Sequence, residues 1–172
     1  MKPRTTFLRK AARQLLKDCG ITDPPVDLQV VIKKCGLAYD EVDYFEDDVA
    51  AIIIPMEGRV VAVVNQKTSL TRRRFSLAHE LCHHLFHKDR SALQDITTID
   101  SPPEYSEYDE VGKKDPFETE ADIFAGELLV PLPMLKKHYR SGHTAEDVAR
   151  IFNVSKEAAS IALTSHFSAL FK

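Results

Sequence analysis

The stretch RRRFSLAHELCHHLFHKD, residues 72–89, constrains the fold more than any other part of the chain. Its apolar residues have helical spacing, and it contains four of the chain's seven histidines. On a helix, His79 and His83 lie about 40° apart around the axis and about one turn apart along it. Two imidazoles in this arrangement can reach one ion, so the fold must bring at least one further ligand to this helix.

The face that carries the two histidines is apolar. At about 100° per residue, Phe75, Cys82 and Phe86 fall within about 60° of His79. Unpaired imidazoles on a buried face would be costly. The pattern therefore favours a metal site over a pH-sensitive surface or an accident of composition.

His79, Glu80 and His83 form the sequence HExxH. Glu80 stands at the flank of the predicted ion, where it can accept a proton from water that a zinc ion has acidified to a pKa of roughly 7. We therefore predict one Zn²⁺ ion, with Glu80 as the catalytic base.

A third protein ligand is needed, because two are too few for a zinc site. The extended motif HExxHxxGxxH is absent, since Phe86 and Asp89 occupy its glycine and histidine positions. The third ligand must therefore come from another element.

The helix predicted from about Pro116 to Leu129 supplies this ligand. Glu118 and Asp122 share its apolar face, whereas Glu120 and Glu127 are predicted on the opposite, polar face. We predict Glu118 as the metal ligand and Asp122 as the acceptor that orients a ligand histidine.

Other elements follow from local patterns. Helices are predicted over residues 5–19, before Gly36, and from Thr68 or Ser69 to about His87. LAYDEVDY is a candidate strand, and VAAIIIP and RVVAVVN form a candidate hairpin across MEG. If RVVAVVN is an edge strand, its open backbone could pair with an extended peptide substrate.

The acidic segment from Asp95 to Asp115 has seven acids, two lysines and no sustained period. We interpret it as either mobile or a lid. Two helices follow the proline pair Pro131 and Pro133, with Thr144 and Ser155 as their caps.

That last helix pair has the outline of a helix-turn-helix. Between Ser155 and Leu170, however, Lys156 is the only lysine, arginine or amide side chain. We therefore expect it to pack on the rest of the protein or dock a repressor, and direct DNA binding is not expected. The net charge of −3 gives no reason for a polyanion partner.

The N-terminal segment and the cysteines indicate where in the cell the protein is expected. Residues 1–20 are basic, and no apolar run long enough for a signal or a membrane span follows. Three cysteines at unrelated spacings do not form a disulfide framework. We expect a cytoplasmic protein with no membrane partner.

The blocks RRRFSLAHELCHHLFH and ETEADIFAGELLVP together resemble the ImmA/IrrE family of metallopeptidases. The resemblance covers roughly residues 20–135 and implies a small gluzincin-like α+β domain whose three-stranded sheet packs on the HExxH helix. We accordingly predict a peptidase domain over residues 1–135 and a C-terminal helical extension over 136–172.

The same resemblance implies His79, His83 and Glu118 as zinc ligands, Glu80 as the catalytic glutamate and Asp122 as the following acidic position. It also implies the substrate, a helix-turn-helix transcriptional repressor of a phage, mobile element or stress regulon. A protein activator is a further expectation. Cys82 departs from the family pattern and raises the alternative of a thiol near the metal.

The rival hypothesis is a non-proteolytic anti-repressor that holds zinc only as structure. It would need a closed four-ligand site that includes a residue such as Cys82, instead of an open fourth position.

Three groups beside the motif have less specific interpretations. His87, four residues after His83, could order the end of the helix or form a hydrogen bond nearby, and His84 is predicted at the surface. The arginines at 72–74 oppose the helix dipole, so we expect acidic partners for them.

The unranked candidates for an oxyanion donor are Tyr105, Tyr108, His138 and His143.

Overall fold

The structure, a computed structural model, describes residues 2–45, 49–87 and 115–170. Its elements confirm the predicted α+β class. In chain order they are α1 (Thr5–Asp18), α2 (Leu28–Lys34), β1 (Ala38–Val42), β2 (Ala51–Met56), β3 (Arg59–Asn65), α3 (Leu70–Phe86), α4 (Pro116–Leu129), α5 (Leu132–His138), α6 (Ala145–Phe152) and α7 (Lys156–Leu170).

The three strands form one mixed sheet in the order β1-β3-β2. The predicted hairpin is confirmed, because β2 runs antiparallel to β3 with Ala51 opposite Val64. Glu57 and Gly58 form its turn with φ values of 50° and 79°, which suit a two-residue hairpin. β1 pairs with β3 in parallel, and β2 and β3 pack on α3.

β3 is the central strand, so the edge-strand hypothesis for RVVAVVN is wrong. Its backbone pairs with β1 on one side and β2 on the other. Residues 61–64 are all buried, as expected of a strand covered on both faces. An extended peptide therefore has no free backbone to pair with on β3.

α3 and α4 begin as their sequences predict. The Ser69 side chain caps α3 by accepting a hydrogen bond from the Arg72 backbone N–H at 3.4 Å. Asp115 caps α4 by accepting from the Phe117 backbone N–H at 2.8 Å, and Pro116 occupies the first turn. α3 lies against one side of α4, and α1 lies against the other.

Glu120 and Glu127 share the face opposite Glu118, as predicted, but this polar face is buried, because α4 is covered on two sides. Glu120 is 0% exposed and Glu127 is 3% exposed. Arg4 and Arg13 reach these carboxylates from the start of the chain and from α1, at 2.6 Å each. Helical periodicity located the two acids on one face correctly, but α1 supplies the arginines that allow this face to be buried.

The C-terminal helices are present as predicted. Thr144 and Asp147 form a capping box at the start of α6, and Asn153 makes the turn in the left-handed region, with φ 53°. The Ser155 hydroxyl accepts from the Ala158 backbone N–H at 3.1 Å, which caps α7. The domain boundary at residue 135 stays a prediction.

Among the described residues, no helix has the length and apolar content to cross a membrane. Of the acidic segment between Asp95 and Asp115, only Asp115 belongs to the described residues; the interpretation as a lid therefore stays a prediction.

Candidate metal centre

The packing of α3 on α4 brings the predicted ligands together. The Nε2 atom of His79 lies 3.0 Å from Oε2 of Glu118. The Nε2 atom of His83 lies 3.3 Å from Oε1 of Glu118 and 3.1 Å from Nε2 of His79. Within the described residues, these three form the group whose ligand atoms could share one metal ion.

The spacing and chemistry of this group fit zinc. Zinc is bound at about 2.0–2.2 Å by histidine nitrogen and carboxylate oxygen, so ligand atoms around a tetrahedral ion lie about 3.3 Å apart. The three observed separations are 3.0, 3.1 and 3.3 Å. Two imidazoles and one carboxylate also match the three protein ligands of catalytic zinc sites, which keep a fourth position open.

The ligand group favours positive charge. Hydrogen bonds with His79 and His83 hold the pKa of Glu118 well below its usual range. Burial by itself would lower the pKa of His79, but its hydrogen bonds to Asp122 and Glu118 outweigh burial and raise that pKa to about 9. The same negative potential that retains a proton here favours a metal cation.

Asp122 lies where a residue that orients a ligand histidine should lie. Its Oδ1 atom is 3.0 Å from Nδ1 of His79. A carboxylate can only accept, so His79 donates to Asp122 from Nδ1, which leaves Nε2 as the ring atom that would bind the metal ion.

Glu80 is half-buried beside the two histidines. Burial raises its pKa, while the nearby His83 and His79 oppose that shift. A carboxyl group with a raised pKa is a stronger base than an ordinary surface glutamate, which suits proton transfer near neutral pH.

Cys82 does not join the metal group. Its side chain is fully buried and points to α4, where the thiol contacts the Glu120 carbonyl oxygen at 3.8 Å. Burial raises the pKa of this thiol to about 12. A protonated thiol bonded to the backbone is a poor candidate for a fourth ligand.

The histidines and arginines beside the motif meet their predictions only in part. His87 is buried and contacts both His83 and Glu120, and His84 is half-buried. Of the three arginines, Arg73 lies 4.0 Å from Glu41, as expected, whereas Arg74 donates to the Asn153 carbonyl oxygen at 3.0 Å.

The candidates for an oxyanion donor are not brought to the centre by any described contact. His138 lies 3.1 Å from Asp23, and His143 packs on Tyr139. Tyr105 and Tyr108 lie outside the described residues.

Glu120 is the residue of this region that sequence reasoning missed. Its spacing from Glu118 placed it on the far side of α4, and only the packing of α1 and the end of α3 brings Arg4 and His87 to it. The one sequence signal that could have found it is the presence of two further acids in an otherwise buried helix.

Comparison with known proteins adds family and fold. The family model described as IrrE N-terminal-like domain, Peptidase_M78, matches residues 26–164. A solved chain titled "Mycobacterium tuberculosis transcriptional regulator" superposes with a TM-score of 0.63 at 20% identity, covering 91% of this chain and 46% of that chain. The present chain thus spans about half of that chain's length. No curated protein matches the sequence.

Proposed function

The chain belongs to the IrrE N-terminal-like domain family of peptidases, and we propose that it is a zinc-dependent endopeptidase that cleaves a helix-turn-helix transcriptional repressor. The observation that carries this proposal is the convergence of His79, His83 and Glu118 within 3.3 Å of one another. Zinc is the ion typical of this family.

The proposed ligands are His79, His83 and Glu118, with Asp122 orienting His79. When bound there, zinc supplies a Lewis acid that polarises the peptide carbonyl and lowers the pKa of a water molecule. The protein contributes fixed ligand geometry, because both helices are anchored in the apolar core.

Glu80 is the proposed general base. It takes a proton from the attacking water and then delivers it to the leaving amine of the peptide. Its raised pKa suits both transfers, because the carboxyl must hold the proton between the two steps.

The proposed substrate class rests on the family resemblance. The solved chain with this fold is itself titled a transcriptional regulator, which agrees with a setting in transcription. Cutting a repressor would relieve repression of the genes that it controls.

The rival function, a regulatory protein with a closed structural zinc site, lacks a fourth protein ligand in the described part of the chain. Cys82, its best candidate, is bonded to the α4 backbone instead. An open fourth position favours catalysis.

The decisive experiment compares wild-type protein with Glu80→Gln. We expect wild-type protein to cut a candidate repressor, a chelator to stop it, and the variant to retain zinc while cleavage falls by about 10² to 10⁴-fold. Mass spectrometry of the products identifies the bond. Glu57→Gln, which removes an exposed carboxylate from the β2–β3 turn, is the matched control and should cleave at the wild-type rate.

Two results would contradict the proposal. Undiminished cleavage by zinc-loaded Glu80→Gln would exclude the assigned base. Intact repressors after incubation with zinc-loaded wild-type protein would exclude the substrate class.

A further inference from the structure

His87 connects the metal group to a buried ion pair. It follows the last residue of α3, and its side chain is 1% exposed. Its Nδ1 atom lies 2.9 Å from Nδ1 of His83, and its Nε2 atom lies 3.0 Å from Oε2 of Glu120. Both ring nitrogens of His87 are therefore occupied by specific partners.

The direction of the outer hydrogen bond is set by Arg4. Its Nε and Nη2 atoms contact the Glu120 carboxylate at 2.6–3.1 Å, and its backbone N–H adds a bond of 2.7 Å. An arginine only donates, so Glu120 is an acceptor. The Nε2 atom of His87 must therefore donate to Glu120.

The direction of the inner hydrogen bond follows from the first. A neutral imidazole carries one N–H, and His87 uses it on Glu120. Its Nδ1 atom then has a lone pair, which accepts the N–H of His83 Nδ1. With Nδ1–H directed at His87, His83 has Nε2, the atom that faces Glu118 and His79, left to bind the metal ion.

We infer that His87 and Glu120 are positioning residues that fix the tautomer and ring orientation of His83 for the metal. Each ligand histidine then has an acceptor for its Nδ1–H: Asp122 serves His79 directly, and Glu120 serves His83 through His87. The inference rests on the proposed metal centre and is independent of which peptide is cut.

The relay suits its buried setting. A carboxylate placed directly on His83 would add a second negative charge on the core side of Glu118, with a large desolvation cost. Instead, the neutral ring of His87 accepts from His83 and donates to Glu120. The charge of Glu120 is therefore separated from His83 by the His87 side chain, and Arg4 neutralises it.

The test compares two changes at the same ion pair. R4M/E120L replaces both charges with apolar side chains, which commonly preserves stability, and removes the acceptor. R4K retains a positive charge and the carboxylate, so it is the matched control. Long-range ¹H–¹⁵N correlation spectra of the zinc-loaded proteins report which nitrogen of His83 carries the proton, and zinc titration reports affinity.

We expect zinc-loaded wild-type protein and R4K to hold the His83 proton on Nδ1. R4M/E120L should bind zinc about 10- to 100-fold more weakly, as is typical when a partner of a ligand histidine is lost. A zinc-loaded wild-type His83 protonated on Nε2, or unchanged zinc affinity in R4M/E120L, would overturn the inference.

A second pair of variants gives the same answer if R4M/E120L does not fold. H87F keeps a ring that can pack on Phe117 but offers no acceptor, whereas the side-chain oxygen of H87N can stand near the position of Nδ1. H87F should lose about 10- to 100-fold in zinc affinity, and H87N should recover most of it. Equal affinities of the two variants would overturn the inference.

These measurements separate this inference from the proposed function. Tautomer and zinc affinity are read without any substrate, so a protein that binds zinc with the wrong His83 tautomer defeats only the relay. A protein with the expected tautomer that cuts no repressor defeats only the proposed substrate.

Discussion

The acidic residues on the two faces of α4 differ in whether a partner carries a permanent charge. Toward α3, Glu118 meets two imidazoles, groups that can be neutral and that commonly bind metal ions. On the other face, Glu127 meets Arg13 of α1 at 2.6 Å and His166 of α7 at 3.1 Å. A carboxylate with a permanent cation is already neutralised, whereas one that faces imidazoles can take up a cation.

The comparison also explains why both faces tolerate burial. Burial by itself raises the pKa of Glu127, but hydrogen bonds from His166 and Arg13 outweigh it and lower that pKa. Glu118 obtains the same net direction from histidines. The first arrangement needs no metal ion, whereas the second leaves ligand atoms for the proposed metal ion.

The largest expected effect is on stability, and it differs between the two faces of α4. Glu127→Ala leaves Arg13 and His166 without their shared acceptor, so the free energy of unfolding should fall by about 3 kcal/mol. Metal-free Glu118→Ala should lose clearly less, because its histidines can become neutral. Urea denaturation measures both, and equal losses would contradict the distinction.

The next effect is the stabilisation by zinc, which should depend on the carboxylate of one face of α4 and not on that of the other. Zinc at about 100 times its dissociation constant should stabilise wild-type protein by about 2.7 kcal/mol. Glu127→Gln should gain about the same amount if it folds, whereas Glu118→Ala should gain none. Thermal unfolding with and without zinc checks this, and zinc stabilisation of Glu118→Ala would show that the ion binds elsewhere.

A third prediction uses pH to isolate the contribution of the Glu120–Arg4 ion pair to stability. Hydrogen bonds from Arg4 lower the pKa of Glu120 to about 2. Because the folded pKa is below the unfolded one, this carboxylate stabilises the fold above the unfolded pKa of about 4.5, and its contribution is lost as pH falls toward 2. We expect the stability of wild-type protein relative to R4M/E120L to fall by about 2 kcal/mol across that window.

The measurement is urea denaturation of both proteins at several pH values. R4K, which keeps the carboxylate and a positive charge, should follow wild-type protein in direction. A difference in stability that stays constant from about pH 5 to about pH 2 would show that Glu120 does not titrate with the fold.

The smallest effect concerns the thiol between the two faces. Cys82 lies at the contact of α3 with α4 and bonds to the Glu120 carbonyl. Cys82→Ala should lower the free energy of unfolding by about 1 kcal/mol through lost packing, with zinc affinity unchanged. Weaker zinc binding in this variant would revive the closed-site alternative.

Local patterns predicted most of the fold because each element carries its own signal. Ser69 and Asp115 cap the two central helices, and Glu57 with Gly58 turns the hairpin. The central position of β3 was not predictable from its sequence alone, because a run of buried β-branched residues fits any strand whose two faces are covered.

The candidate site shows the same division. His79, His83, Glu118 and Asp122 were found because helical spacing places each pair on an apolar face. Glu120 and His87 were missed as partners, since their contact joins α4 to the end of α3 and depends on Arg4, 116 residues earlier in the chain. Such a contact is set by packing, which periodicity within one helix does not report.

The most direct test of the central claim is the zinc K-edge X-ray absorption spectrum of the zinc-loaded protein, recorded with its metal content. If His79, His83 and Glu118 bind the ion, the spectrum should show one zinc ion per chain with only nitrogen and oxygen ligands at about 2.0–2.2 Å. A sulfur ligand at about 2.3 Å, or zinc well below one ion per chain, would contradict it.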